Sequence, residues 1–266
     1  MDNRPIGIFD SGLGGLTCVP ALRKALPNES FIYFGDTART PYGSKDPATI
    51  REFSSQITGF LVSQNVKMIV IACNTVSSTG LVSLRETFPS VPFVGIIEPA
   101  ANAIRETCRP GESVGIIGTK ATVASGVYPK LLADSGIRLS LKACPAFVPL
   151  IEEGLDDTDI MRLTVRHYLD GFLAENAVET LLLACTHYPL IADDILALYP
   201  SLRIISSSET IAGAVRSELD RLGLLADGAS PAKDAFYASD LSENFLNMIN
   251  RISSSSDFRV AFHNGF

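Results

Sequence analysis

Apolar residues in this chain gather in eight short runs: Ile6 to Phe9, Phe31 to Phe34, Met68 to Ala72, Val91 to Ile96, Val114 to Ile117, Leu139 to Ala143, Leu181 to Ala184 and Leu202 to Ile205. Between them lie segments such as Pro47 to Gln64 and Thr158 to Glu175, in which apolar residues return every three or four positions. A short unbroken apolar run predicts a strand covered on both faces, and the wider spacing predicts a helix with one apolar side. Their alternation predicts an α/β fold of βα units wound around largely parallel sheet.

The pattern also repeats. IGIFDSGLGG at Ile6 and VGIIGTKATV at Val114 each run from an apolar stretch into a turn of small residues, and each is followed by an apolar run ending in cysteine, IVIACNT and LLLACTH. Two pseudo-symmetric lobes follow, each a mostly parallel sheet flanked by helices, with the active site expected in the cleft between them. Residues 1–98 and 208–266 are assigned to the first lobe and 99–207 to the second, the helical segment Ser208 to Leu225 returning the chain. The serine-rich stretch from Arg251 to Phe266 reads as a solvated tail.

Composition narrows the function. The chain has 266 residues, 22 Lys and Arg against 29 Asp and Glu, a formal charge of −7 and no Trp. A chain this acidic, with no basic run, is a poor reader of phosphate backbones, so nucleic acid is excluded as a partner. No stretch reaches the length of a membrane span and no signal peptide opens the chain, which leads to the expectation of a cytoplasmic protein without membrane partners. Five cysteines and no CxxC pair argue for reduced thiols and against a zinc site, so no metal is expected.

In open parallel sheets, ligands collect beyond the carboxyl ends of the strands. Four such ends carry chemistry: Asp10-Ser11-Gly12, Gly35-Asp36-Thr37, Cys73-Asn74-Thr75 and Cys185-Thr186-His187. The glycines of DSGLGG fit either an anion site at a helix N-terminus or a tight strand-to-helix turn. Cys73 and Cys185 occupy twin Ala-Cys frames, which favours a shared chemical role over core packing; a following helix would favour their thiolates. Cys18, Cys108 and Cys144 lack the frame and read as structural. His187 reads as an acid/base partner for a thiol or as a satisfied core residue, and Asp10 as a functional carboxylate or a helix cap. Glu152 and Glu153 look on composition alone like a solvated helix end. Two thiols on opposite sides of a bound carbon can remove a proton from one face and return one to the other, with no cofactor. A redox dithiol would instead need the sulfurs within bonding reach.

At these residues the chain resembles the glutamate racemases. The resemblance rests on FDSGLGGLT at Phe9, YFGDTARTPYG at Tyr33, ACNTVSS at Ala72, GTKAT at Gly118, ACPAFVPLIEEG at Ala143 and LACTHYPLI at Leu183. It implies interconversion of L- and D-glutamate, as small-molecule substrate, for peptidoglycan synthesis, with Cys73 and Cys185 alternating as acid and base. It further implies that Asp10 assists Cys73, and that Glu152 and His187 assist Cys185. Substrate contacts are implied at Asp10, Ser11, Pro41, Tyr42, Gly43, Asn74, Thr75, Thr119, Thr122, Thr186 and His187, and a homodimer is implied as well. Cys18 stands where relatives commonly carry an aliphatic residue, and Val76 where alanine is frequent. The chain begins almost at its first motif, without the extension of precursor-activated relatives, so constitutive activity is expected. Aspartate racemases, which typically carry Thr-Glu after the second cysteine, are the nearest rival; a non-catalytic clamshell binding protein is the rival of another class.

Overall fold

The computed structural model describes residues 1–228, 233–252 and 258–263. Ten strands are present among them: β1 Ile6–Asp10, β2 Phe31–Gly35, β3 Met68–Ile71, β4 Phe93–Gly95, β5 Ser113–Gly118, β6 Arg138–Ala143, β7 Thr180–Ala184, β8 Arg203–Ser206, β9 Asp234–Ala238 and β10 Phe258–Phe262. They form a six-stranded sheet in the order β10-β9-β2-β1-β3-β4 and a four-stranded sheet in the order β6-β5-β7-β8. Every pairing between the described strands is parallel. The run β2-β1-β3-β4 in the first sheet is matched by β6-β5-β7-β8 in the second, so the sequence repeat is a repeat of topology.

Strand alternation divides the core into three layers. Ile6 and Ile8 of β1 and Leu182 of β7 face a layer common to both sheets, which also takes Ile104 from helix Ile97–Thr107 and Ile211, Val215 and Leu219 from helix Ser207–Leu222. Phe9, Ile69 and Ile71 point the other way, onto Ile50, Ile57 and Leu61 of helix Pro47–Ser63. Leu181 and Leu183 likewise meet Met161, Val165 and Leu169 of helix Asp159–Glu175. Because successive side chains of a strand face opposite ways, a strand between two helical layers must be apolar throughout. Strands β1, β3, β5 and β7 are buried along their whole length. The long outer helices start where the sequence supplies caps: Asp46 accepts from the amides of Ala48 and Thr49, and Thr158 from that of Met161.

The C-terminal segment departs from the expectation of a solvated tail. Phe258–Phe262 is the edge strand β10, in parallel register with β9. Ser253 to Ser256 lie outside the described residues. FRVAF is a five-residue segment with a charge in it that follows a polar run, and its Phe262 is exposed, so its short signal was masked by its neighbours. Among the described residues no helix is long and apolar enough to cross a membrane.

Candidate active site

The ends of β1, β3 and β7 converge on one narrow cleft between the sheets. Its cavity volume is only about 20 Å³, and both Cys73 and Cys185 line it. Cys73 follows β3 and Cys185 follows β7, the equivalent strand of the other sheet. Both thiols are free and more than nine-tenths buried. Ser11, Pro41, Tyr42, Gly43, Asn74, Thr75, Thr119, Thr186 and His187 line the same space.

Around Cys73 the first sheet supplies Ser11 and Asp10. The Ser11 hydroxyl lies 3.5 Å from the Cys73 sulfur. Asp10 is fully buried at the end of β1, accepting from the Gly12 amide at 3.0 Å and from the Thr186 hydroxyl at 3.2 Å. It caps no helix; it ties the first turn to the opposite lobe. Burial pushes the Asp10 carboxyl upward, against the pull of His187 and of the Gly15 and Gly12 amides. Cys73 is the N-cap of helix Asn74–Thr79, as expected, but the thiolate expected there does not follow. Burial, reinforced by the charge of Asp10, pushes its thiol up to about 12 and outweighs the Ser11 hydroxyl and the Val76 amide. Six residues of helix are too short a dipole to reverse that.

Around Cys185 the second sheet builds a relay. The His187 Nδ1 lies 4.0 Å from the Cys185 sulfur, and its Nε2 is 2.9 Å from Oε1 of Glu152. Glu152 ends helix Phe147–Glu152 and is partly exposed, while His187 is buried. Burial opposes the imidazolium, yet the hydrogen bonds and charges of Cys185 and Glu152 prevail and push His187 up to about 10. Glu152, a solvated helix end by composition, is thus brought to His187 by a fold contact that spans 35 positions of chain.

The glycine-rich turn makes a close approach to the opposite lobe. Gly14–Cys18 forms a 3₁₀ turn, and a Cβ on Gly14 would fall 2.4 Å from His187 Nδ1 and 2.6 Å from the Thr186 hydroxyl. Only glycine lets the first lobe come that near the relay. Gly43 plays the same part on the other side, where a Cβ would lie 2.5 Å from that of Thr119.

The hydroxyl chain is continuous: Thr75 lies 2.9 Å from Thr119, and Thr119 3.0 Å from Thr122. Thr122 stands behind Thr119, bonded to it. Thr119 also caps helix Lys120–Ala124. The Asn74 side chain is committed within the protein, donating to Ser207 at 3.1 Å and accepting from Tyr128 at 3.0 Å. Tyr42 donates to the buried carboxylate of Asp36, which also receives Arg39 and Ser239. Asp36, at one of the four polar strand ends, therefore braces the Tyr42 loop. Tyr128, Ser207, Thr40 and Val148 had no distinguishing signal in sequence: the first two act through Asn74, and the last two simply line the cleft.

Cys18, Cys108 and Cys144 are buried away from this cleft, Cys18 and Cys108 in the shared layer and Cys144 in that of the second sheet. Among the described residues no group of three or more His, Cys, Asp or Glu side chains is placed to hold a metal ion.

Thiols from equivalent strands, each with its own carboxylate, suit proton transfer at both faces of one small carbon acid. The chain's relatives share its fold. A glutamate racemase of Thermus thermophilus is 50% identical over 221 residues, 83% of this chain and 82% of that protein. The crystal structure of the Francisella tularensis glutamate racemase in complex with D-glutamate superposes with a TM-score of 0.90 at 34% identity, covering 99% of this chain and 98% of that one. The Thermus thermophilus structure with β-chloro-D-alanine gives 0.85 at 43% identity, covering 100% and 99%. Residues 16–229 match the sequence profile of the Asp/Glu/Hydantoin racemases, and with its twin-sheet cleft the chain belongs to that family.

Proposed function

We propose that this chain racemises glutamate by two-thiol proton transfer at Cα, working in the cytoplasm as a homodimer and supplying D-glutamate for peptidoglycan. The observation that carries this reading is the lining of one cleft by Cys73 and Cys185 from equivalent strands of two related sheets. The relatives' glutamate specificity and the His187 that follows Cys185-Thr186 favour glutamate over aspartate.

Cys73 begins protonated, because burial holds its thiol up to about 12. It is then the donor, and Cys185 accepts the α-hydrogen of the enantiomer whose Cα–H faces the second sheet. The electron pair left on Cα takes the Cys73 proton from the opposite face, which inverts the centre. After one passage the proton stands on Cys185 and the charge on Cys73. Asp10 and the His187–Glu152 pair are positioned to reset these states. A turnover of about 10 per second allows a barrier of roughly 16 kcal/mol. A thiolate at Cys73 is a stronger base than an ordinary one: the rise from 9.0 to about 12 narrows the gap to a carbon acid by about 4 kcal/mol. The substrate carboxylates meet hydroxyls and backbone amides in the cleft, with no Lys or Arg among its lining residues. The cleft is too narrow as it stands for an amino acid, so binding requires the lobes to part and close again, expelling water around the carbanion.

The test is a chiral assay of purified protein on L-glutamate and L-aspartate. D-glutamate should form far faster than D-aspartate. The reverse order would make this an aspartate enzyme, and ligand-induced stabilisation without any inversion would make it a binding protein.

A further inference from the structure

The cleft opens outward through two further spaces in series. A small middle recess of about 50 Å³ shares Pro41, Gly43, Thr119 and Val148 with the cleft, and an outer one of about 340 Å³ shares Gly43, Ser44 and Lys120 with the middle one. The outer chamber is the roomy part, and it lies between the lobes: Lys45 and Thr79 come from the first, Lys120 and Ser125 from the second. Its only charged lining residues are these two lysines.

Neither lysine is in an ion pair among the described residues. Asp46, the carboxylate next to Lys45 in sequence, is turned to the amides of Ala48 and Thr49. Lys45 instead leans toward the Phe53 ring, its nitrogen 5.9 Å from the centroid. Two unpaired cations therefore face one passage that ends at the thiols, in a protein of formal charge −7 whose overall field repels an anion.

We propose that Lys45 and Lys120 form an anion-capturing vestibule through which the dicarboxylate substrate reaches the cleft, one cation supplied by each lobe; this rests on the glutamate reading above. The inner cleft offers the substrate no Lys or Arg, and its His187 is engaged with Glu152, so the two lysines act on capture and not on the chemical step. An anion held between them also relieves their mutual repulsion and so favours the closed arrangement of the lobes. Gly43 against Thr119 is the constriction between vestibule and cleft.

The test is steady-state racemisation of glutamate at low ionic strength by wild type, Lys45→Gln, Lys120→Gln and the double charge reversal Lys45→Glu/Lys120→Glu, with the exposed Lys24→Glu as a control for net charge. Each single variant should raise KM roughly two- to fourfold and the double reversal roughly tenfold or more, with kcat within about twofold of wild type. The differences should shrink sharply at about 0.5 M salt. An unchanged KM in the double reversal, an equal rise in Lys24→Glu, or a loss confined to kcat would each overturn the vestibule while leaving the racemase reading intact. A wild-type protein inactive on glutamate would remove the underlying reading and the vestibule with it.

Discussion

Adding one methyl group at Gly14 tests whether the relay around Cys185 depends on the close approach of the two lobes. In Gly14→Ala the new Cβ would lie 2.4 Å from His187 Nδ1, 2.6 Å from its Cε1 and 2.6 Å from the Thr186 hydroxyl, where ordinary contact begins at 3.4 Å. Something must retreat by about 1 Å. The turn backbone is pinned from below, since Gly15 abuts Asp10 and the Tyr33 hydroxyl donates to the Gly12 carbonyl. His187 is therefore the group that moves, lengthening its 4.0 Å approach to the Cys185 sulfur. A misplacement of about 1 Å costs on the order of 100-fold in rate, or about 2.7 kcal/mol of transition-state stabilisation. Overpacking of this size also destabilises the fold by about 1–3 kcal/mol, so melting temperature must be followed alongside kcat and KM in a continuous circular-dichroism assay of glutamate inversion. Gly59→Ala and Gly213→Ala are the controls: they lie in helices Pro47–Ser63 and Ser207–Leu222, and a Cβ on either meets nothing within 4 Å. Those two should gain up to about 1 kcal/mol in stability at unchanged activity. A folded Gly14→Ala protein with kcat within twofold of wild type would refute the reasoning.

Three other perturbations have worked-out signs. His187 is held up to about 10 against an ordinary 6.5, so its contribution to stability is complete below pH 6.5 and is lost as pH rises through about 10; the alkaline fall in melting temperature should flatten in His187→Asn. Asp10 is pushed upward by burial, so the folded wild type holds that proton more tightly than the unfolded chain. Lowering the pH from neutral toward 4 should then shift the melting difference between wild type and Asp10→Asn in favour of wild type, while Asp10→Asn loses roughly 10²- to 10⁴-fold in kcat at neutral pH. Lys67 is buried with Glu29 at 2.6 Å and donates to the carbonyls of Asp2 and Leu224; Lys67→Met should cost about 3–5 kcal/mol, read as a drop in melting temperature of roughly 10 °C, with part of it restored by adding Glu29→Gln.

Strands β1, β3, β5 and β7 were legible because each is buried along its whole length and so carries an apolar run. Strands β9 and β10 were not, since DAFYA and FRVAF each mix a charged residue with apolar ones in only five positions. The two cysteines stood out because the repeat set them in twin frames. Thr119 and Thr122 could be named only through a family resemblance, since hydroxyls at a helix start look the same whether they cap the helix or face a ligand. Glu152 was hidden for another reason: its partner His187 is local to the second cysteine, but the carboxylate arrives from a different helix. Tyr128 and Ser207 were invisible because they act by immobilising Asn74, and nothing in a single sequence distinguishes a buried tyrosine that positions another side chain from one that fills a core.

The claim on which the rest depends is that Cys73 and Cys185 serve opposite faces of one carbon. Its most direct measurement is incubation of purified protein with each glutamate enantiomer in D₂O, following deuterium at Cα and the stereochemistry of the product by mass spectrometry and chiral chromatography. Product of inverted configuration should carry solvent deuterium from the first turnover, and inversion should be lost in both Cys73→Ala and Cys185→Ala. Full racemase activity retained by either variant, or inverted product that keeps its original hydrogen, would contradict the two-thiol mechanism.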